Sequence, residues 1–259
     1  LTLVRSLACP SCDVQVLDLR TDRAAQAKAK QYGIKRVPAV VVDGTLADCC
    51  DGGIDASVLH KLGVEVVASD MTRPESLAPL VQGVDYVFHV AAVFSYSAPR
   101  ELLERVNVEG TRALLDLLEK EKQLKRLVVW GAGGVYGLPN ATNLPFREEM
   151  PADPPNAYLE SKSEQEKLVM EFGRAHELPY SIIRPTTVYG PRAVYGGGQL
   201  FSSFDQMKVV AMPRSLTGRV PLVHVRDVCG AALHLAQHPG AAGQIYNVND
   251  DSQRTTVEL

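Results

Sequence analysis

From Val64 onward, short β-branched runs alternate with amphipathic stretches of helical period, and this alternation most restricts what the chain can fold into. Runs apolar at nearly every residue suit strands buried on both faces, and the helical stretches between them supply the crossovers that parallel strands need. The predicted strands are "VEVVA" (Val64 to Ala68), "YVFHVA" (Tyr86 to Ala91), "RLVVW" (Arg126 to Trp130) and "YSIIR" (Tyr180 to Arg184). Between them, "ELLERVNVEGTRALLDLLEKEK" gathers Leu103, Val106, Thr111, Leu114, Leu115 and Leu118 near one helix face, and "AYLESKSEQEKLVMEFGRAHE" does the same with Leu159, Leu168 and Phe172. The expectation is an α/β fold with a partial doubly wound parallel sheet over residues 63–259. Cys229 falls in a later helix and is expected to face that sheet.

The first 62 residues have a different pattern. "DVQVLDLR" reads as a strand and "TDRAAQAKAKQYG" as a helix capped by Thr21 or Asp22 and ended by Gly33. "VPAVVVDGTLADCC" reads as a hairpin turned at Asp43-Gly44, and "DASVLHKLG" as a short helix. The join falls in "LHKLGVEVV". With 46% hydrophobic residues in 259, the chain can bury one large core or two smaller ones. A net charge of −3 with interspersed signs gives no footprint for nucleic acid, and no apolar run has bilayer-spanning length. The N-terminus lacks a secretory pattern and the five cysteines suit a reducing compartment, so the expected location is cytoplasmic. The Leu at position 1 suggests a fragment or processed piece.

"RLVVWGAGGVYGLPN" carries Gly131, Gly134 and Gly137 in the spacing of a dinucleotide-binding loop. Such a loop works only where a helix follows at once and points its amides at the pyrophosphate. Here "LPNATNLPFREEMPADPP" follows, with Pro139, Pro145, Pro151, Pro154 and Pro155, so the glycine spacing is read as coincidental. Further on, "NAYLESK" sets Tyr158 and Lys162 four apart on one helix face. A phenol with a pKa of about 10 is a poor acid or base at neutral pH unless a nearby ammonium lowers it. Tyr-x-x-x-Lys supplies that pair, although the spacing alone recurs by chance.

Residues 62–259 resemble the extended short-chain dehydrogenase/reductases, the NAD-dependent epimerase/dehydratase group, in five ordered motifs. "VEVVASDMTRPESLAPLVQGVDYVFHVAAV", "ERVNVEGTRALLDLL", "RLVVWGAGGVYG", "YSIIRPTTVYGP" and "VPLVHVRDVCGAALHLAQHP" with "GQIYNVND" carry the likeness. The resemblance implies a Rossmann-type sheet and makes Tyr158 the catalytic acid/base, with Lys162 lowering its pKa and hydrogen-bonding the nicotinamide ribose. It further implies that Asp70 and the Met71 backbone meet the adenine and that Ala91 and Ala92 let the cofactor lie close. Asn107 would brace that region, and Pro185, Thr187 and Val188 would line the nicotinamide pocket. For Asn107, Ala91 and Ala92, helix-internal hydrogen bonding and strand packing are the structural alternatives, and His224 and Asp227 read first as ordinary buried-edge groups.

Two departures qualify the likeness. The family places Ser or Thr four residues before the Tyr of "VYG", where this chain has Ala132. A missing hydrogen bond to developing charge costs on the order of a few kcal/mol, unless Tyr136, Thr186 or Thr187 supplies it. The family's glycine-rich first unit is also lacking, and in its place "YGIKRVPAVVVDG", with Pro38 at the cis-proline position, and "CPSC" at Cys9 to Cys12 resemble a partial thioredoxin-like βαββα unit. "DVQVLDLR" follows Cys12 at once, so these redox candidates lack the helix N-terminus that would favour thiolate. A zinc site of Cys9, Cys12, Cys49 and Cys50 is disfavoured because adjacent Cys49 and Cys50 fit poorly around a tetrahedral ion, and no metal is expected.

The leading reading is an oxidoreductase, epimerase or dehydratase acting on a hydroxyl or keto carbon of a nucleotide-sugar or steroid-like small molecule. NAD or NADP is the expected cofactor, bound weakly because the "DLRTDRA" turn has carboxylates where amides should meet an anion. The competitors are a thiol-disulfide oxidoreductase at the N-terminus and a catalytically silent fused or truncated product, incomplete at both ends. The helices over 101–122 and 157–177 resemble those through which members of the short-chain dehydrogenase/reductase family pair, and the resemblance implies a homodimer.

Overall fold

The computed structural model describes residues 27–28, 41–42, 45–46, 64–140, 144–191 and 220–251. The chain divides into two compact units, Leu1–Val66 and Val67–Leu259. In the first, β1 (Val41–Val42) pairs antiparallel with β2 (Thr45–Leu46), Val42 opposite Thr45, as the Asp-Gly dipeptide between them predicts. The expectations for Cys9, Cys12, Pro38, Cys49 and Cys50 lie outside the described residues.

The second unit alternates helix and strand. It contains α1 (Pro74–Val81), β3 (Tyr86–His89), α2 (Arg100–Leu103), α3 (Gly110–Leu118), β4 (Arg126–Trp130) and α4 (Ala157–Ala175). Then come β5 (Tyr180–Pro185), β6 (Thr187–Tyr189), β7 (Leu222–His224), α5 (Val225–Gln237) and β8 (Gln244–Val248). One sheet has the order β3-β4-β5-β8, all parallel, with Phe88 beside Val128, Val128 beside Ser181 and Ser181 beside Gln244. A second, two-stranded sheet pairs β6 with β7 in parallel.

The continuous apolar character of β4 follows from cover on both faces. Leu127 and Val129 enter one layer with Leu114, Leu115 and Leu118 of α3 and Leu168 and Val169 of α4. Val128, between them, enters the opposite layer with Ile183, Val223, Val228 and Ala232. Successive residues of a strand point to opposite faces, so a strand covered twice cannot spare alternate positions for polar groups.

Three expectations are corrected. Val64 to Ala68 forms no strand: among the described residues it pairs with none, and Val64, Val66 and Val67 are exposed. An apolar run stays extended in a sheet only where a neighbour takes its amides. The helix over 101–122 is three segments, α2, a π-helical stretch Glu104–Glu109, and α3, which stops at Leu118. The wide turn holds Asn107, fully buried, and after it Gly110 packs so closely that a Cβ would stand 2.8 Å from the Met71 carbonyl oxygen. Cys229 is exposed, because Val228 and Ala232 take the buried positions of α5. No helix among the described residues is long and apolar enough to cross a membrane.

Candidate functional site

Because β4 and β5 run parallel, the helix joining them must return toward the start of the sheet, so the first turn of α4 lies by the strands' carboxyl ends. Asn156 starts that helix by accepting the Leu159 amide at 3.0 Å. Tyr158 and Lys162 follow, one turn apart and both buried.

The Tyr158 ring meets Phe94 edge-on at 5.0 Å and Tyr96 at 5.7 Å. Burial, and second the neighbouring Tyr96 phenol, push the Tyr158 phenol above its ordinary range. That direction is opposite to the lowering which Lys162 was expected to cause, because a desolvated phenol under two aromatic rings resists ionisation. Burial also pushes Lys162 down to about 8, against the pull of Glu166, and its ammonium donates to Gln165 Oε1.

Gln165 opens a polar cluster toward β3 and α3. Its Nε2 donates to Thr111 Oγ1 at 2.7 Å and lies 3.0 Å from His89 Nε2, while His89 Nε2 and Thr111 Oγ1 are 2.8 Å apart. Thr111 Oγ1 is in turn 2.7 Å from the Asn107 carbonyl oxygen. Burial, then the charge of Lys162, takes His89 down to about 3, so it is neutral at physiological pH. Asn107 Oδ1 accepts the Val93 amide at 2.8 Å, and its Nδ2 donates to Ser161 Oγ at 2.9 Å, which donates to the Tyr158 carbonyl oxygen at 2.7 Å. The segment after β3 is thereby tied to the turn that carries Tyr158.

A second cluster runs from α4 toward β5 and β8. Glu166 Oε2 accepts from Arg184 Nε at 2.9 Å and lies 2.8 Å from Arg184 Nη2. Arg184 Nη1 donates to the Tyr136 hydroxyl at 2.7 Å, which donates to Asn247 Oδ1 at 2.7 Å. The Asn247 amide donates to Glu148 Oε1 at 2.8 Å. Burial raises the Glu166 carboxyl against the pull of Arg184. Position 131 must be glycine here, since a Cβ would sit 2.0 Å from Glu166 Oε1.

The remaining expected residues fall as follows. Asp70 accepts the Thr72 amide and hydroxyl, each at 2.8 Å, which hold its carboxyl below the usual range, and Met71 packs on Gly110. Ala91 is exposed and Ala92 half-buried. Pro185 ends β5, Thr187 is exposed and Val188 joins the second apolar layer. Near Ala132, the Tyr136 hydroxyl is already engaged, whereas Thr186 Oγ1 is buried without a hydrogen-bond partner. His224 caps α5 by accepting the Arg226 amide at 3.2 Å. Among the described residues no group of three or more His, Cys, Asp or Glu converges as metal ligands.

Sequence reasoning missed His89, Thr111, Gln165, Glu166 and Arg184. "SKSEQEK" reads as a solvated helix face, yet Ser161, Lys162, Ser163, Gln165 and Glu166 are buried. The available signal was spacing: Tyr158, Lys162, Gln165, Glu166 and Val169 recur at helical period along one face.

A match to the family described as NAD dependent epimerase/dehydratase runs over residues 2–249. The chain belongs to that family. The match takes in residues 2–62 along with the rest of the chain to residue 249. A putative anthocyanidin reductase of Ginkgo biloba is 27% identical over 202 residues, 70% of this chain and 59% of that protein. A mouse (Mus musculus) sterol-4-alpha-carboxylate 3-dehydrogenase, decarboxylating, is 26% identical over 197 residues, 73% of this chain and 53% of that protein. The chain thus spans little more than half the length of these relatives. The solved structure of RMD from Pseudomonas aeruginosa with NADPH shares the fold, with a TM-score of 0.65 at 23% identity, covering 80% of this chain and 78% of that one.

Proposed function

We propose that this chain is a NAD(P)-dependent oxidoreductase, epimerase or dehydratase acting on a hydroxyl or keto carbon of a small molecule, a nucleotide sugar or a steroid-like alcohol. The observation that carries the reading is the buried pair Tyr158 and Lys162, one turn apart at the carboxyl edge of a parallel sheet, with Asn107 tying their turn to the segment after β3. The nicotinamide end fits the residues present. Thr186 Oγ1 is a buried hydroxyl without a partner, and Gly133 lies so close to β5 that a Cβ would stand 3.0 Å from the Pro185 carbonyl oxygen. Lys162 and Tyr158 would hold the ribose hydroxyls there, and Thr187 and Val188 would border the ring. When bound, NAD(P) supplies or accepts the hydride.

Tyr158 moves the proton. Burial keeps the phenol protonated in the free chain, so it enters the reaction as the donor to a carbonyl oxygen and gives up its proton only as that oxygen gains charge. Phe94 and Tyr96 exclude water from the phenol. Ala132 offers no hydroxyl to the same oxygen, and Thr186, whose buried hydroxyl has no partner, is the replacement. The homodimer expected through the helices at 101–122 and 157–177, and a cytoplasmic location, belong to the same proposal.

Trp130, the only tryptophan, lies at the end of β4 and reports on the site. Titrating NADH and NADPH while following energy transfer from Trp130 is expected to give saturable binding weaker than about 1 µM. No saturation with either dinucleotide would contradict the reading. Binding without turnover of any carbonyl substrate would favour the silent scaffold, which Ala132 supports.

A further inference from the structure

We infer that Gln165 is a positioning residue for Lys162, a clamp that sets where the ammonium points and links it to the Asn107 brace through Thr111 and His89. The inference rests on the reading of Lys162 given above and adds a residue that no motif carries.

The argument begins with donors and acceptors. Lys162 has only donors to offer while charged, so the Gln165 atom facing it must be Oε1. That choice turns Nε2, a donor only, toward Thr111 Oγ1 at 2.7 Å and His89 Nε2 at 3.0 Å. His89 Nε2 lies within hydrogen-bond distance of both Gln165 Nε2 and Thr111 Oγ1, and which ring nitrogen carries the proton sets its role there. Thr111 gives its one proton to the Asn107 carbonyl oxygen at 2.7 Å, which leaves its lone pairs to receive the Gln165 amide. Each orientation is therefore dictated by the next, and the chain of dependence starts at the ammonium. Gln165 and Thr111 are fully buried and His89 nearly so, so water cannot stand in for a lost partner without entering the core.

The groups facing Lys162 are few. Glu166 on the same helix attracts it, neutral His89 on β3 touches Gln165, and Glu166 is itself held by Arg184 on β5. The Gln165 carbonyl is the hydrogen-bond acceptor among these, and an acceptor stabilises the charged lysine. If Lys162 loses its proton, Gln165 loses the reason for its orientation, and the amide is free to turn.

The test needs no substrate. In the full chain with labelled lysine side chains, Lys162 is assigned by its loss in Lys162→Arg and titrated by NMR. In the unsubstituted protein its ammonium protons are expected to exchange slowly near pH 6. Gln165→Ala is expected to lower its midpoint by about one pH unit, and Gln165→Glu, of the same shape but charged, to raise it. NADPH, used as the probe, is expected to bind Gln165→Ala about threefold to tenfold more weakly, with a pH dependence that moves with the lysine. A fast-exchanging ammonium in the unsubstituted protein overturns the inference even if no variant folds. So does a midpoint that stays put in folded Gln165→Ala and Gln165→Glu. If no dinucleotide binds at all, the oxidoreductase reading fails, while the lysine titration still decides this one.

Discussion

Two polar clusters hang from one helix, and they are built on different principles. On one side of α4, Glu166 and Arg184 meet as opposite charges, with Tyr136, Asn247 and Glu148 completing the set. On the other, Lys162 is met by a neutral amide, and behind it stand a neutral histidine, a threonine and an asparagine. Arg184 opposes the upward push of burial on the Glu166 carboxyl, and through Tyr136 and Asn247 the pair makes that cluster a strut between α4, β5 and β8. A buried charge whose hydrogen-bond acceptor is a neutral amide, with Glu166 only attracting it, stays close to the point of losing its proton, so the second cluster is adjustable. The adjustable cluster is the one that touches the Tyr158 turn, which is where a reaction involving proton movement needs it.

Removing one partner from each side separates the two. Glu166→Ala leaves the Arg184 guanidinium buried without its carboxylate and should cost about 3–5 kcal/mol in urea unfolding. Gln165→Ala removes a neutral group and should cost about 1–3 kcal/mol. Equal losses would erase the distinction between strut and switch.

A smaller effect sharpens the same contrast. Lys162 titrates in the folded chain at about 8, below its ordinary 10.5, so between those values the unfolded chain binds more protons. Stability should therefore rise with pH from about 8 to about 10, by about 1–3 kcal/mol, and the charged lysine is a net cost at pH 7. Lys162→Met should lose that rise while keeping the rest of the pH profile. A rise that persists in Lys162→Met would assign it to other groups and remove Lys162 as the adjustable charge.

Much of this architecture was legible in the sequence, for reasons that differ by element. β4 and β5 were legible because a strand covered on both faces must be apolar throughout, and α4 because Leu159, Leu168 and Phe172 recur at helical period. Val64 to Ala68 is as apolar as a strand requires but pairs with no strand among the described residues, and pairing is a property of the neighbour that no local run encodes. Tyr158, Lys162 and Asn107 were legible as a family pattern, and the structure brings their turns together through Ser161. Gln165, Glu166 and Arg184 were not, because a polar side chain buried against another looks, one residue at a time, the same as one in water. The direction of the Tyr158 shift was hidden for a related reason: Lys162 four residues away suggests a lowered phenol, but Phe94 and Tyr96, more than sixty residues earlier, decide the desolvation.

The central claim is that the Tyr158 phenol moves the proton in a nicotinamide-dependent reaction on a carbonyl or alcohol carbon. It is tested most directly by following NADPH oxidation, in the unsubstituted protein and in Tyr158→Phe, against a panel of nucleotide-linked keto sugars and steroid-like ketones. The account predicts turnover with at least one member and a fall of about a hundredfold or more in Tyr158→Phe, far larger than the weakening of NADPH binding that loss of one hydroxyl causes. A Tyr158→Phe protein that turns over the same ketone at the unsubstituted rate would contradict it.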